Sequence, residues 1–175
     1  MNTSLVMTVI GSDRPGLVES ISEVVGRHGG NWLESRMSHM AGHFAGILRV
    51  EISSELAEAL IEGLRGLDAQ GLSVVVETDP VPEVRDDLRL VILEIVGQDH
   101  PGIVRDISEV IAAQGVNVEE LATECVSAPM TGEMLFKARA TLQVPPDVDL
   151  DDLRAQLERC AADLMVDIEF GTPGD

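Results

Sequence analysis

The sequence predicts an α+β protein made of two tandem βαββαβ units, each an antiparallel four-stranded sheet with two helices on one face. Three observations predict it. Residues 10–31 and 96–117 match without gaps at an offset of 86: Gly11 with Gly97, Asp13 with Asp99, Pro15-Gly16 with Pro101-Gly102, Ile21-Ser22-Glu23-Val24 with Ile107-Ser108-Glu109-Val110, Gly29 with Gly115 and Asn31 with Asn117. Between the copies, residues 79–87 carry two prolines and a charge run with no periodicity, the signature of an extended linker. Within each copy the apolar spacing alternates between strand and helix periods in the order β-α-β-β-α-β, the split βαβ or ferredoxin-like arrangement. The expected boundaries are a first domain at 1–79, a linker at 80–87 and a second domain at 88–175.

Each copy opens on an apolar run, Leu5 to Ile10 and Leu88 to Val96, closed by glycine, which reads as a central strand. A Gly-x-Asp-x-Pro-Gly turn follows. Asp13 and Asp99 fall near the expected N-cap, and Pro15 and Pro101 where a first helical turn tolerates proline. Leu17, Ile21, Val24 and Ile103, Ile107, Val110 then recur at i, i+4, i+7, and Gly29 and Gly115 end these helices. The next strand starts at Asn31 or Asn117 with no clear alternation. The strand after it alternates cleanly: Phe44, Gly46, Leu48, Val50, Ile52 in one copy and Phe136, Ala138, Ala140, Leu142, Val144 in the other. Here the offset is 92, so the second copy carries a hairpin six residues longer, within 127–132. Second helices follow with stripes Leu56, Leu60, Leu64, Leu67 and Leu150, Leu153, Leu157, Cys160, and with Ser54 and Asp149 as N-caps. The closing strands are Leu72, Val74, Val76 and Val166, Ile168, Phe170.

Composition limits the function. There are 31 acidic against 12 basic side chains, a net charge of −19. Phosphates and anionic lipids repel such a surface, so neither direct nucleic-acid binding nor membrane binding is expected. One Trp, three Phe and no Tyr leave no platform for stacking bases. No apolar run approaches the ~20 residues of a membrane span, and the start of the chain has no basic, apolar leader, so a cytoplasmic location is expected. Two cysteines make neither a disulfide framework nor a zinc site; Cys160 lies on an apolar stripe and Cys125 has no activating neighbour in sequence. His39 and His43 flank a hairpin, but a metal needs three or four ligands, so they read as turn residues. The acidic pairs Asp151-Asp152, Glu119-Glu120 and Glu55/Glu58 fit solvated helix faces better than a catalytic cleft. With no nucleophile elbow, phosphate loop or zinc-protease motif, no enzyme activity and no cofactor or metal are expected.

The repeated turn is the feature with chemistry. A helix N-terminus offers free backbone N–H groups and a partial positive charge, which suit a carboxylate. Gly16 and Gly102 leave room for a ligand to approach the backbone. Asn31 and Asn117 are expected at the same edge of the sheet, where an amide can accept from an ammonium. Arg14 can clamp a carboxylate, and His100 can do so when protonated. The same residues also suit a plain strand-to-helix turn, and the residues alone leave both readings open.

The motifs Gly11-Ser12-Asp13-Arg14-Pro15-Gly16 with Asn31, and Gly97-Gln98-Asp99-His100-Pro101-Gly102 with Asn117, resemble those of tandem ACT-domain proteins. The stretch Ala128-Pro129-Met130-Thr131-Gly132-Glu133-Met134-Leu135-Phe136 with Val144-Pro145 is similar to the second half of glycine cleavage system repressors. The resemblance implies a sensor that binds a small amino acid, such as glycine or serine, beside the first strand–helix turn where domains meet. The implied site residues are Asp13, Arg14, Pro15, Gly16, Asn31, Asp99, His100, Pro101, Gly102 and Asn117. It also implies regulation of transcription through a protein partner; the alternative is a stand-alone allosteric subunit of a metabolic enzyme. Units of about 80 residues bury too little surface to be robust alone, so packing between units and a homodimer are expected.

Overall fold

The computed structural model describes residues 1–79, 87–129 and 132–172. It divides into two compact units, Met1–Glu83 and Val84–Asp175. The first contains β1 (Asn2–Ser12), α1 (Leu17–Arg27), β2 (Asn31–Met40), β3 (His43–Ser53), α2 (Ala57–Arg65), a 3-10 turn (Gly66–Gln70) and β4 (Leu72–Asp79). The second contains β5 (Arg89–Gln98), α3 (Ile103–Ala113), β6 (Asn117–Ser127), β7 (Met134–Val144), α4 (Leu150–Leu164) and β8 (Val166–Gly171). Both sheets are antiparallel, in the orders β2-β3-β1-β4 and β6-β7-β5-β8. The expected βαββαβ topology is therefore present twice. Residues 80–86 of the expected linker, and Met130 and Thr131 of the longer hairpin, lie outside the described residues.

Period-two alternation decides which face of each central strand is buried. In β1, Leu5, Met7 and Val9 are buried while Thr8 and Ile10 are exposed; in β5, Val91, Leu93 and Ile95 repeat the pattern. The helices cover that face. Leu17, Ile21, Val24 and Val25 of α1 join Leu60, Ile61 and Leu64 of α2 in the first core. Ile103, Ile107 and Ile111 of α3 join Leu153, Leu157 and Ala161 of α4 in the second. Among the described residues neither core contains a polar side chain.

Three local expectations change. Leu56 does not head the α2 stripe: it is the N-cap, 46 % exposed, and helix begins at Ala57. Ser54 is not the cap, because its Oγ donates to the Met1 carbonyl at 3.0 Å and its amide to the same oxygen at 2.9 Å. Val110 and Cys160 are half-buried, and the positions after them, Ile111 and Ala161, are the buried ones. β2 shows no alternation because it is an edge strand whose register shifts between Trp32 and Glu34; the bulge puts Trp32 and Met37, at positions of opposite parity, in contact with the same core. β6 has the same irregularity between Val118 and Glu120.

Candidate functional site

β1 ends at Ser12 and the chain turns at once, tied to the far hairpin by the Asp13 amide donating to the Gly42 carbonyl at 2.9 Å. In the second unit the Asp99 amide donates to the Met134 carbonyl at 2.9 Å. The helix N-caps are Gly16 (φ 89°) and Gly102 (φ 109°), both left-handed, and neither α1 nor α3 has a side-chain cap. Asp13 and Asp99 are thus not the caps the sequence suggested. Glycine takes that place because the backbone turns through a conformation that other residues rarely adopt. Asp13 instead faces His39, with Oδ2 3.5 Å from Nε2, and Asp99 lies beside Cys125. Pro15 and Pro101 stand two residues before the first helical residue, outside the first turn. A Cβ at Gly16 would meet only Glu19 Oε2 at 3.7 Å, and one at Gly102 only Arg105 Nη2 at 3.5 Å and Asp106 Oδ2 at 3.6 Å. The space above both caps is open.

The residues before the prolines bind backbone. Arg14 Nη2 donates to the Gln70 carbonyl at 3.1 Å. His100 Nε2 lies 2.8 Å from the Leu164 carbonyl and Nδ1 3.1 Å from the Pro101 carbonyl. Gln70 and Leu164 each close the helical segment that precedes the last strand of their unit. The two side chains therefore tie the turn to the same place in each fold. The Leu164 carbonyl first, then that of Pro101, raises the His100 pKa above the ordinary 6.5, with Asp99 and Asp106 adding to the effect and burial opposing it.

Asn31 and Asn117 do not share an edge with the turn of their own unit. Asn31 pairs with Glu51, which is level with Ser4 near the start of β1, whereas Ser12 is level with His43 and Met40. Eight residues of strand, about 26 Å, separate the two levels. Asn117 is level with Gln143 and Leu90, again eight residues from Gln98. The cause is the crossover: α1 carries the chain back along the sheet, so β2 starts where β1 started. Asn117 Nδ2 meanwhile donates to Gln143 Oε1 at 3.2 Å.

Two first-turn residues were not singled out from the sequence. Glu19 and Arg105 occupy the same position at the offset of 86 and put opposite charges beside the two caps. Arg105 Nε pairs with Asp106 Oδ1 at 2.6 Å, which holds the Asp106 carboxyl below its usual range and the guanidinium above its own. The second unit also carries an apolar groove between α3 and β6, lined by Val104, Ile107, Val118, Leu121 and Phe136 among others. Burial pushes the Cys160 and Cys125 thiols up, and Asp99 adds to the effect at Cys125. Among the described residues no three His, Cys, Asp or Glu side chains converge as metal ligands. His43 Nδ1 lies 3.2 Å from the Ala41 carbonyl, a turn contact. No described helix is long and apolar enough to cross a membrane.

ACT-domain family models match residues 3–77 and 89–162, one over each unit. The chain belongs to the ACT-domain family. Among solved structures this ACT protein is similar to a protein of unknown function from Galdieria sulphuraria, at 29 % identity and a TM-score of 0.84, over 98 % of this chain and 99 % of that one. It is also similar to a candidate glycine cleavage system transcriptional repressor, at 17 % identity and a TM-score of 0.74, over 98 % and 97 % of the two chains. The second likeness shows the shared fold. No curated protein matches. ACT membership implies a regulatory role in sensing amino acids.

Proposed function

We propose that this protein is a non-catalytic regulator that binds a small amino acid of the glycine or serine class at its strand–helix turns and acts on transcription through a protein partner. The observation that carries the reading is the pair of glycine-capped helices. At α4 a carboxylate already sits on a helix N-terminus: Asp149 Oδ1 accepts from the Asp151 amide at 2.8 Å and the Asp152 amide at 3.3 Å. The corresponding amides at α1 and α3, on Val18 and Glu19 and on Val104 and Arg105, have no side-chain cap. A ligand carboxylate above Gly16 or Gly102 would make there the bonds that Asp149 makes at α4, helped by the helix dipole. The net charge of −19 favours action through a partner over contact with DNA. The stretch 128–136 and the fold shared with a candidate glycine cleavage repressor support that choice of output.

The placement of the asparagines adds a condition. A ligand held at one turn cannot touch Asn31 or Asn117 of the same unit across about 26 Å of sheet. The ammonium contact then has to come from outside that unit, and the expected homodimer can supply it.

The test is calorimetric titration with glycine, serine and larger amino acids on the parent, N31A, N117A, G16N and G102N. Asparagine is chosen because it tolerates positive φ while filling the space above the cap. Loss of one hydrogen bond to a charged group costs about 1.5–3 kcal/mol, so at least one Asn→Ala variant should bind about tenfold more weakly or worse. At 100 times its Kd the ligand should stabilise the protein by ~2.7 kcal/mol. Binding by no amino acid, or equal binding by all five proteins, refutes the reading.

A further inference from the structure

Arg14 and His100 hold the same position in the two copies and make the same connection, from the strand–helix turn to the carbonyl that ends the helical segment before the last strand of the unit. Their chemistries differ. A guanidinium donates at every accessible pH. An imidazole has two N–H donors only when protonated; neutral, it has one donor and one lone pair. Both ring nitrogens of His100 face carbonyl oxygens, at 2.8 and 3.1 Å, and a carbonyl can only accept. A neutral ring must therefore present its lone pair to one of them.

We propose that His100 is a pH-operated latch: the protonated ring binds the β5–α3 turn to the C-terminal end of α4, and deprotonation weakens the tie by turning a lone pair towards one of the two carbonyls, while Arg14 keeps the first unit permanently latched. This goes beyond the amino-acid reading and does not depend on any ligand being bound. The Leu164 carbonyl is among the last four of α4, which have no partner within the helix, and a cation there also meets the negative end of the helix dipole. The latch thus satisfies one of the helix's free acceptors, and its weakening opens that carbonyl to water.

Charged groups from the turn and from α3 act on the ring. Asp99 comes from the turn itself, and Asp106 from α3, where it is held ionised by Arg105. On α4, Asp163 precedes Leu164 in the chain. Arg105 lowers the Asp106 pKa, so that carboxylate does not titrate with the ring. On β6, Cys125 faces Asp99 and its thiol is pushed up, so it stays neutral there. The fold favours the protonated ring more than the unfolded chain does, because the Leu164 and Pro101 carbonyls accept from it. Its contribution is complete below the pKa of an unfolded histidine and is lost as pH rises through the higher folded value.

The experiment is an NMR pH titration of the full chain, following the His100 ring and the amide of Met165, whose peptide carries the accepting carbonyl. The expected result is a Met165 shift with the same midpoint as the ring, above 6.5. H100R should abolish the Met165 step by fixing the charge, and H100Q should abolish it by removing the titration. The reciprocal R14H should create a step at the amide of Gly71, which follows the accepting carbonyl of Gln70. A Met165 amide that does not titrate, a midpoint at or below 6.5, or a step that persists in H100R or H100Q overturns the latch.

Discussion

Gly11 opens the repeated turn motif, yet the structure keeps it for packing. It pairs with Leu72 at the start of β4, where a Cβ on residue 11 would lie 2.5 Å from the Gly71 carbonyl oxygen and 3.2 Å from Leu72 Cδ1. Ordinary contact begins at 3.4 Å, so in G11A the peptide between Gly71 and Leu72 must retreat by about 0.9 Å. That peptide is backbone, and the Gly71 amide is itself bonded to the Asp68 carbonyl at 2.9 Å, so no side-chain rotation relieves the clash. Overpacking of this kind costs about 1–3 kcal/mol, and alanine returns about 0.4–1 kcal/mol by restricting the unfolded chain. The net loss is roughly 1–2 kcal/mol; at a urea m-value of about 1 kcal/mol/M, the midpoint should fall by about 1–2 M. Trp32, the only tryptophan, packs against the first core and reports unfolding of that unit by fluorescence. G26A is the control: a Cβ there meets nothing within 4 Å on an exposed stretch of α1, and the midpoint should rise. An unchanged or higher midpoint in G11A refutes the reasoning.

Asp149→Ala removes both capping bonds of α4 and should destabilise by about 1 kcal/mol in a circular-dichroism melt, more than Ser54→Ala, which caps no helix. Leu93→Ala, at 0 % exposure on the central strand β5, should cost about 2–5 kcal/mol in denaturant unfolding. The Asp106 carboxyl is held down by Arg105, so its stabilisation is present above the unfolded carboxylate pKa and is lost as pH falls through the lower folded value. R105Q should accordingly flatten the acid limb of the stability–pH curve; an unaltered limb would contradict the pairing.

The fold was legible because periodicity and repetition agreed. The alternating residues of β3 and β7 predicted their buried faces, and the ungapped match at 86 located both turns before any contact was known. The site was legible only in its chemistry. Asp13 looked like a cap because helix starts recruit aspartate, but cap identity depends on the φ of Gly16, which the sequence does not display. Asn31 was misplaced although the element order held the answer: a strand reached through a helical crossover starts at the edge where its predecessor started. Ser54 was chosen as a cap on local grounds, and its partner, Met1, lies 53 residues away. Gly11 was read with the ligand turn because its neighbour Gly71 is distant in sequence and invisible to any local pattern.

Duplication also sets a hazard during synthesis. Two copies with one strand order offer every nascent strand two docking places, and cores that hold no polar side chain among the described residues provide no charged mark to tell them apart. Volume supplies the mark instead. Gly46 on β3 sits opposite Met37, and a Cβ at position 46 would fall 2.5 Å from Met37 Cγ and 2.9 Å from the Arg36 carbonyl oxygen. Its counterpart on β7 is Ala138, which faces Thr123. A β7 strand inserted into the first unit would drive the alanine methyl towards Met37 and the Arg36 carbonyl, so the intruder fits only if these shift. A single missing methyl at Gly46 thus helps the first half of the ribosomal product to assemble with its own strand.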